Sequence, residues 1–247
     1  MEPILYNAVN GGHSNFKRQE ITANNLANVN TTGFKADLYQ AKTMYATSSD
    51  GSNSNQSFNI QSPNGIDLTP GDVITTGRNL DLAIEGDGWF AVHDSQGQEA
   101  YTRAGSLHLN SINQLITASG KLVLGNGGPI SIPPVSSLSV GIDGTISIVP
   151  LGGDPKTPAV LDRIKLVTVD KKNLVKDTEG LLQLTTGSSK PADNTVRVHS
   201  GALEGSNVKA IDQMVAMITS GREFDSHMKL MSTVDDNYQK LAQVLHE

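Results

Sequence analysis

Residues 214–245 read MVAMITSGREFDSHMKLMSTVDDNYQKLAQVL and place apolar side chains at a regular spacing. Steps of three and four residues alternate between the marked positions, which are Met214, Met217, Gly221, Phe224, Met228, Met231, Asp235, Tyr238, Ala242 and Leu245. Eight of these ten are apolar or aromatic, and such a repeat over about four heptads is typical of a coiled-coil seam. We predict one helix, capped by Ser206 or Asn207 and ending near Leu245.

This C-terminal helix needs a partner. At 1.5 Å per residue it is roughly 58 Å long, more than a small domain can cover. Its apolar stripe must therefore contact the N-terminal helix, another copy of the chain, or both. Methionines are common in the stripe, and their flexible side chains suit an interface with non-identical surroundings. The predicted interface residues are Met214, Met217, Phe224, Met228, Met231, Tyr238 and Leu245.

An N-terminal helix is predicted from Pro3 to Asn28. Its seam consists mostly of small side chains, and Gly11 and Gly12 each cost about 1 kcal/mol relative to alanine inside a helix. The helix is therefore weak by itself and needs a partner helix close against it. Its predicted interface residues are Leu5, Val9, Phe16 and Ala23.

Between these helices the sequence predicts a β-rich domain. Residues 37–72 are read as a flexible or extended connector, because Ser, Asn, Gln, Asp and Gly dominate from Thr47 to Ser62. Residues 73–200 contain short runs of alternating polarity. The runs are Leu80–Ile84, Trp89–Val92, Ser106–Leu109, Ile130–Ile132, Leu138–Ile142, Thr145–Val149, Ile164–Val169, Leu181–Leu184 and Val196–His199. Glycines at 86, 97, 120, 144 and 180 mark turns between them.

The overall fold prediction is mainly β, with an irregular antiparallel sandwich or barrel flanked by terminal helices that pair in a coiled-coil-like way on assembly. The segments are 1–36 (N-terminal assembly helix and motif), 37–72 (connector), 73–200 (β-rich domain) and 201–247 (C-terminal assembly helix). No βαβ alternation is present in the pattern.

Composition and charge exclude several classes of protein. A net charge of −6 gives no basic surface for nucleic acid. The absence of cysteine excludes disulfides, thiolate metal sites and cysteine nucleophiles. No apolar run reaches the roughly 18 residues of a spanning helix, and the N-terminus lacks the features of a cleaved signal peptide. We expect no membrane insertion.

No pattern supports catalysis or a cofactor. Glu85 and Asp87 resemble the paired carboxylates of a glycosidase, but they flank a Gly-Asp-Gly turn where acidic residues are common. The run GNGGP at 125–129 lacks the Lys-Ser/Thr pair of a phosphate loop. The six histidines form no i,i+4 pair, so no zinc site is expected. We predict neither catalytic residues, nor a metal, nor a cofactor.

The stretch ANNLANVNTTGFK, residues 23–35, closely resembles the N-terminal motif of flagellar rod and hook proteins. NLDLAIEGDGWFAV at 79–92 and YTRAGSLHLNSINQLITASG at 101–120 resemble the β domain of that family, and SGALEGSNVKAIDQMVAMI at 200–218 resembles the start of its C-terminal helix. The length, GNGGPISIP and REFDSHMKLMSTVDDN look more like a proximal rod subunit than a distal rod or hook protein. The motif residues are Asn24, Asn25, Leu26, Ala27, Asn28, Thr31, Gly33, Phe34 and Lys35.

The resemblance implies a function. Such subunits are exported unfolded through the flagellar type III apparatus, without signal cleavage, and assemble in the periplasm into the rod that transmits motor torque. The implied partners are other rod subunits and the export apparatus, with a monomer or weak oligomer when isolated. Three alternatives stay open: a distal rod or hook subunit, a periplasmic wall-cutting enzyme that uses Glu85 and Asp87, and a monomeric secreted binding module.

Overall fold

The computed structural model describes residues 2–39, 41–47, 53–61, 65–152, 157–185 and 187–245. Side chains are described in the same ranges except at 2–8, 41–47, 53–61, 238, 241–242 and 244–245. The predicted interface residues Leu5, Tyr238 and Leu245 therefore lie outside the described side chains.

The chain folds into two compact units. The helical unit comprises Met1–Val29, Ala36–Asp67 and Val208–Glu247, and the β unit comprises Asn30–Lys35 and Leu68–Asn207. The short segment Asn30–Lys35, which the sequence pattern grouped with the N-terminal helix, thus packs with the β unit.

Two long helices dominate the helical unit: α1 (Glu2–Ala27) and α2 (Ala210–Leu245). They lie side by side in opposite directions. Near the end of α1, Asn25 Nδ2 lies 3.5 Å from Gln213 Oε1. Two turns earlier in α1, Arg18 Nη1 lies 3.1 Å from Glu223 Oε2. Nearer the start of α1, Gly11 lies so close to His227 that a Cβ there would stand 2.5 Å from the imidazole ring. The missing side chain of Gly11 therefore allows close approach of the two helices at this point.

The predicted cap of the C-terminal helix is wrong. Helix α2 begins at Ala210 and not directly after Ser206 or Asn207. Asn207 makes other contacts, because its Nδ2 donates to the carbonyl oxygen of Thr69 (3.1 Å). The predicted cap therefore lies two to three residues too early in the chain.

The β-strands are β1 (Asp37–Leu38), β2 (Ala41–Thr47), β3 (Asn53–Gln61), β4 (Gly65–Ile66), β5 (Val73–Thr75), β6 (Leu82–Glu85), β7 (Gly88–His93), β8 (Glu99–Thr102), β9 (Leu107–Leu109), β10 (Leu115–Thr117), β11 (Leu124–Gly125), β12 (Gly128–Pro129), β13 (Val135–Val140), β14 (Thr145–Pro150), β15 (Ala159–Arg163), β16 (Leu166–Thr168), β17 (Leu174–Lys176), β18 (Leu182–Leu184), β19 (Arg197–Ser200) and β20 (Ala202–Glu204). A 3-10 turn spans Lys171–Asn173. The described pairings are all antiparallel.

The segment 37–72, expected as a flexible or extended connector, contains paired strands. In the helical unit β2 pairs with β3, and β1 pairs with β4. Its polar composition offers few apolar side chains, but backbone pairing between neighbouring strands does not require them.

In the β unit the strand order of the largest sheet is β16-β7-β8-β18-β17, and β13-β14-β15 form a second sheet. Aliphatic side chains and Phe90 make up one core, formed by Leu82, Ile84, Phe90, Val92, Ala100, Leu107, Leu115, Val123, Ile130, Ile132, Ile146, Ile148, Ile164, Leu166, Leu181, Val196 and Val198. The middle of the chain is therefore mainly β, as predicted.

The turn predictions are confirmed, because Gly86, Gly97, Gly120, Gly144 and Gly180 all have positive φ. One strand prediction is wrong. Ile130 and Ile132 are buried but belong to no strand. The flanking Pro129, Pro133 and Pro134 have no backbone N–H, which prevents a continuous ladder there.

Candidate assembly motif and helix faces

The first half of the motif closes the end of α1 through Asn25. This side chain is buried in the helical unit. Its Nδ2 donates to the carbonyl oxygen of Asp37, and its Oδ1 accepts from the backbone N–H of Asp37, both at 2.9 Å. An asparagine carries the donor and the acceptor that such a reciprocal pair requires. Asn25 therefore binds the start of β1 to the end of α1.

Asn28 terminates the helix locally. Its Nδ2 donates to the carbonyl oxygen of Asn24 at 2.9 Å, and the same oxygen also accepts from the backbone N–H of Asn28 at 3.2 Å. Asn24, Ala27 and Thr31 are exposed, and Leu26 is half-buried. Within α1 the motif thus contains one buried polar residue, Asn25, and its other helical members are half-buried or exposed.

The second half of the motif belongs to the β unit. Gly33 has φ of +69°, in the left-handed region that favours glycine. A Cβ at this position would stand 2.3 Å from the backbone nitrogen of Ala104 and from the backbone carbon of Arg103. Both the conformation and the close approach therefore require glycine at this position.

Lys35, more than Phe34, anchors the segment that follows this turn. Phe34 is half-buried, with Lys176 Nζ 4.0 Å from its ring centroid. Lys35 is only 4% exposed, and its Nζ lies 2.6 Å from Glu204 Oε1 and 2.7 Å from the carbonyl oxygen of Thr69. A buried ammonium group requires such partners, since burial of an unpaired charge is costly.

Glu204 stands at the centre of a buried ion cluster. Its Oε1 accepts from Lys35 Nζ and from the backbone N–H of Gly71 (3.1 Å), while its Oε2 lies 2.8 Å from Arg103 Nη1. Arg103 Nη2 also donates to the carbonyl oxygen of Gly86 at 2.5 Å. We call Lys35, Arg103 and Glu204 the Glu204 cluster. The sequence patterns assigned no role to Arg103 and read Glu204 as part of a turn.

Helix α1 presents two different faces. Gly12, Asn15, Ile21, Thr22 and Asn25 are buried in the folded chain. The predicted interface residues Val9, Phe16 and Ala23 lie elsewhere on the helix and are exposed, and Phe16 is 62% exposed. These three therefore remain accessible to another molecule.

Helix α2 is divided in the same way. Of its predicted interface residues, Met217, Phe224 and Met231 are half-buried, whereas Met214 and Met228 are exposed. The predicted seam thus covers two different environments. The sequence analysis missed part of the exposed apolar surface near the start of α2, which also includes Ile211, Val215 and Ile218.

This exposed surface has a regular geometry. At 100° per residue, Ile211, Met214, Val215 and Ile218 lie within roughly a third of the helix circumference. Ile211 is 75% exposed, and the other three are each more than half exposed. We call these four residues the apolar arc. Contiguous exposed apolar surface rimmed by polar residues is typical of protein interaction sites.

The carboxylates considered for catalysis lie in the wrong environment. Glu85 Oε2 lies 3.3 Å from His199 Nε2, and Asp87 Oδ1 lies 3.1 Å from Lys171 Nζ, with all four side chains largely exposed. A glycosidase acid must stay protonated, which requires an apolar or like-charged environment. This pair has neither, so the geometry gives the wall-cutting alternative no support.

Neither a metal-ligand cluster nor a membrane-spanning helix occurs among the described residues. They contain no group of three or more His, Cys, Asp or Glu side chains arranged to hold a metal ion. Nor do they include a helix with the length and apolar character needed to span a membrane.

Comparison with known proteins identifies the family. Residues 5–35 match the model of the flagella basal body rod protein, residues 83–148 the flagellar hook protein FlgE/F/G D1 domain, and residues 199–244 the flagellar basal body rod FlgEFG protein C-terminal model. The flagellar basal-body rod protein FlgF of Salmonella typhimurium is 37% identical, with 99% of each chain covered. The chain belongs to the flagellar basal-body rod protein family. FlgF of Escherichia coli is 38% identical over 99% of each chain, and FlgG of Bacillus subtilis is 34% identical over 96% of this chain and 97% of its own.

The three matched regions of this rod-family chain coincide with the parts described above. The N-terminal match ends at Lys35, inside the Glu204 cluster, and the C-terminal match includes both Glu204 and the apolar arc. The resemblance drawn from residues 23–35, 79–92, 101–120 and 200–218 is therefore confirmed.

Proposed function

We propose that this chain is a structural subunit of the proximal flagellar rod, which assembles with other rod and hook subunits through its terminal helices. Family membership supports a place in the flagellar basal body. The resemblance of the length and of residues 125–133 to a proximal rod subunit supports the proximal position. A distal position is the alternative within the family. A structural role implies no catalysis, and the exposed carboxylates fit that expectation.

The apolar arc carries this proposal. Within the folded chain, α2 contacts α1 through the face that contains Gln213, Glu223 and His227. The apolar arc lies on a different part of α2 and is left exposed, as are Val9 and Phe16 on α1. Exposed aliphatic side chains on both helices are explained by burial against helices of neighbouring subunits.

The energetics favour such burial. Each Å² of apolar surface removed from water contributes about 25 cal/mol, so burying several large side chains contributes several kcal/mol per contact. A helical rod repeats contacts between two different surfaces, in an arrangement that does not close into a ring. We propose that the helices pair in a coiled-coil-like way across these contacts, with the methionines adapting to non-identical neighbours.

The proposal also covers how the chain is exported and how the sheets of the β unit are arranged. We propose export through the flagellar type III apparatus without signal cleavage, and a monomer or weak oligomer before incorporation. Weak helices in the free chain agree with this, because isolated helices are marginally stable without tertiary contacts. For the β unit we propose an irregular antiparallel sandwich or barrel, which its two larger sheets and shared core support.

The proposal is tested by placing a charge in the apolar arc. Ile218→Asp should leave the monomer folded, because Ile218 is already exposed, and should abolish incorporation into the rod, because an aspartate cannot be buried against a neighbouring helix without a partner. Swimming in soft agar and the protein content of purified basal bodies measure incorporation. Circular dichroism and Trp89 fluorescence measure folding.

The adjacent exposed residue supplies the matched control. Thr219→Asp adds the same charge one residue along the helix, at a position that is already polar, and should keep at least most of the swimming. Normal motility of Ile218→Asp would contradict the proposal. Equal loss in both variants would show that α2 tolerates no added charge, and would remove the specific role of the apolar arc.

A further inference from the structure

The chain enters and leaves the β unit at four points along the sequence. Its two segments are Asn30–Lys35 and Leu68–Asn207, so the chain crosses its boundary after residues 29, 35, 67 and 207. Each crossing lies within a few residues of a group bonded to the Glu204 cluster or to its neighbours. These groups are contributed by Gly33, Lys35, Thr69, Gly71 and Asn207.

Direct hydrogen bonds join these segments to one another. The backbone N–H of Gly33 donates to the carbonyl oxygen of Glu204 at 2.8 Å, and that of Asn207 donates to the carbonyl oxygen of Phe34 at 3.3 Å. The carbonyl oxygen of Thr69 accepts from both Lys35 Nζ and Asn207 Nδ2. Three segments are thus bonded pairwise: residues 33–35 (the incoming segment), residues 204–207 (the outgoing segment) and residues 69–71.

Close packing makes this arrangement specific. A Cβ at Gly33 would meet the backbone of residues 103 and 104, and a Cβ at Gly71 would stand 2.2 Å from the carbonyl oxygen of Gly205. Backbone atoms cannot move aside as a flexible side chain can. The segments around Gly33 and Gly71 therefore pack with backbone against backbone.

The charges are too costly to serve general stability. Lys35 and Arg103 are each 4% exposed and Glu204 is 2% exposed, so three charged side chains are removed from water. Arg103 Cζ also lies 4.9 Å from the Trp89 ring centroid. Buried ion clusters are often no more stabilising than apolar side chains of similar volume, and their best-attested use is to fix one register.

We propose that the Glu204 cluster is a latch that fixes the incoming and outgoing segments of the β unit to each other, with Glu204 as its central positioning residue. Its members come from distant parts of the chain, since Lys35 and Glu204 are 169 residues apart and Arg103 and Glu204 are 101 apart. The latch closes only after β20 has reached its place. It acts on the segments that lead to α1 and α2, whereas the core of the β unit folds around Phe90 and its neighbours.

Amide hydrogen exchange on the purified full-length chain tests the latch separately from rod incorporation. Lys35→Met removes one cation and its bond to Thr69, and leaves the Arg103–Glu204 pair in place. We expect exchange at the amides of Gly33, Gly71 and Asn207 to accelerate at least tenfold. Core amides such as Ala91 and Val123, which donate to Lys165 and Leu115, should change less than twofold.

Two further variants keep the test decisive. Lys171→Met is the matched control, because Lys171 is largely exposed and pairs with the exposed Asp87, and it should change none of these rates. Asn207→Ala removes the side-chain link to Thr69 without touching a charge, and should accelerate exchange severalfold in the same segments. It also covers the case in which Lys35→Met does not fold.

The possible results separate the latch from an ordinary core. Faster exchange confined to the segments around residues 33, 71 and 207 supports it. An unchanged rate at Gly33 and Asn207 in both variants overturns it, and so does an equal acceleration at Ala91 and Val123, which would assign the cluster to global stability.

Discussion

The helical unit and the β unit place their apolar side chains in opposite ways. In the β unit the large aliphatic residues fill one closed core, and Phe90, Leu107 and Leu115 have no exposed surface. In the helical unit the buried positions include the polar Asn15, Thr22 and Asn25, while large apolar residues such as Phe16 and Ile211 lie in water. The β unit therefore buries its largest apolar side chains within one chain, whereas several large apolar side chains of α1 and α2 stay exposed in the helical unit.

The contrast extends to the polar groups. Both units bury them, but at contacts of different kinds. Asn25 fixes the backbone of Asp37 with neutral hydrogen bonds, which contribute modestly to stability. The Glu204 cluster fixes its segments with charge-assisted hydrogen bonds between buried side chains, which are individually stronger than neutral ones. The two units therefore differ in their buried polar contacts, which are neutral hydrogen bonds to one backbone segment at Asn25 and ion pairs between side chains at Glu204.

The largest expected effect comes from truncating a phenylalanine in each unit. Phe90→Ala should lower the free energy of unfolding of the β unit by about 3–5 kcal/mol, because it leaves a cavity in a closed core. Phe16→Ala should change monomer stability by no more than about 0.5 kcal/mol, because the ring is already exposed. Urea unfolding followed by the fluorescence of Trp89, the only tryptophan, measures the β unit directly.

The two phenylalanine variants can contradict the contrast between the helical unit and the β unit. If Phe16→Ala destabilises the monomer as much as Phe90→Ala, the ring of Phe16 is buried in the free chain and the helical unit is not waiting for partners. Circular dichroism of both variants checks that the helices remain formed.

A smaller effect is expected at Gly33. Gly33→Ala should cost about 2–3 kcal/mol, because alanine must adopt positive φ and its Cβ must overlap the backbone of residues 103 and 104. Gly77→Ala is the matched control. Gly77 has φ of +75° but nothing within 4 Å of the added Cβ, so only the conformational cost of about 1–2 kcal/mol applies.

Urea unfolding of the two alanine variants isolates the cost of the close approach at Gly33. Equal losses would show that the segment moves freely away from Arg103, which would contradict a fixed geometry around the Glu204 cluster.

The sequence predicted what depends on local pattern. The terminal helices follow from their three- and four-residue spacing, and the strand at Trp89–Val92 follows from its position after a Gly-Asp-Gly turn. Five glycine turns were predicted for the same reason. Each of these features is decided by residues that are neighbours along the chain.

The contacts between distant residues could not be predicted. Glu204 stands alone beside a glycine in SGALEGSN, which resembles a turn, and nothing in its surroundings indicates a partner 169 residues away. The cap at Ser206 or Asn207 failed because Asn207 bonds to Thr69. The periodicity of α2 also marked apolar positions without dividing them between the contact with α1 and the exposed apolar arc.

The smallest expected effect is at Asn25, and it tests whether the polar contacts of the helical unit matter in the free chain. Asn25→Ala removes both hydrogen bonds to the backbone of Asp37. It should lower the free energy of unfolding of the helical unit by about 1–2 kcal/mol. Asn24→Ala, at the exposed neighbouring position of the same helix, is the control and should change it by no more than about 0.5 kcal/mol. Thermal unfolding followed by the helical circular dichroism signal measures both. A loss in Asn25→Ala alone, with unchanged Trp89 fluorescence, would show that the helical unit has an ordered interior of its own before assembly. Equal behaviour of the two variants would mean that the contact between α1 and β1 gains its strength only when neighbouring subunits cover the helices.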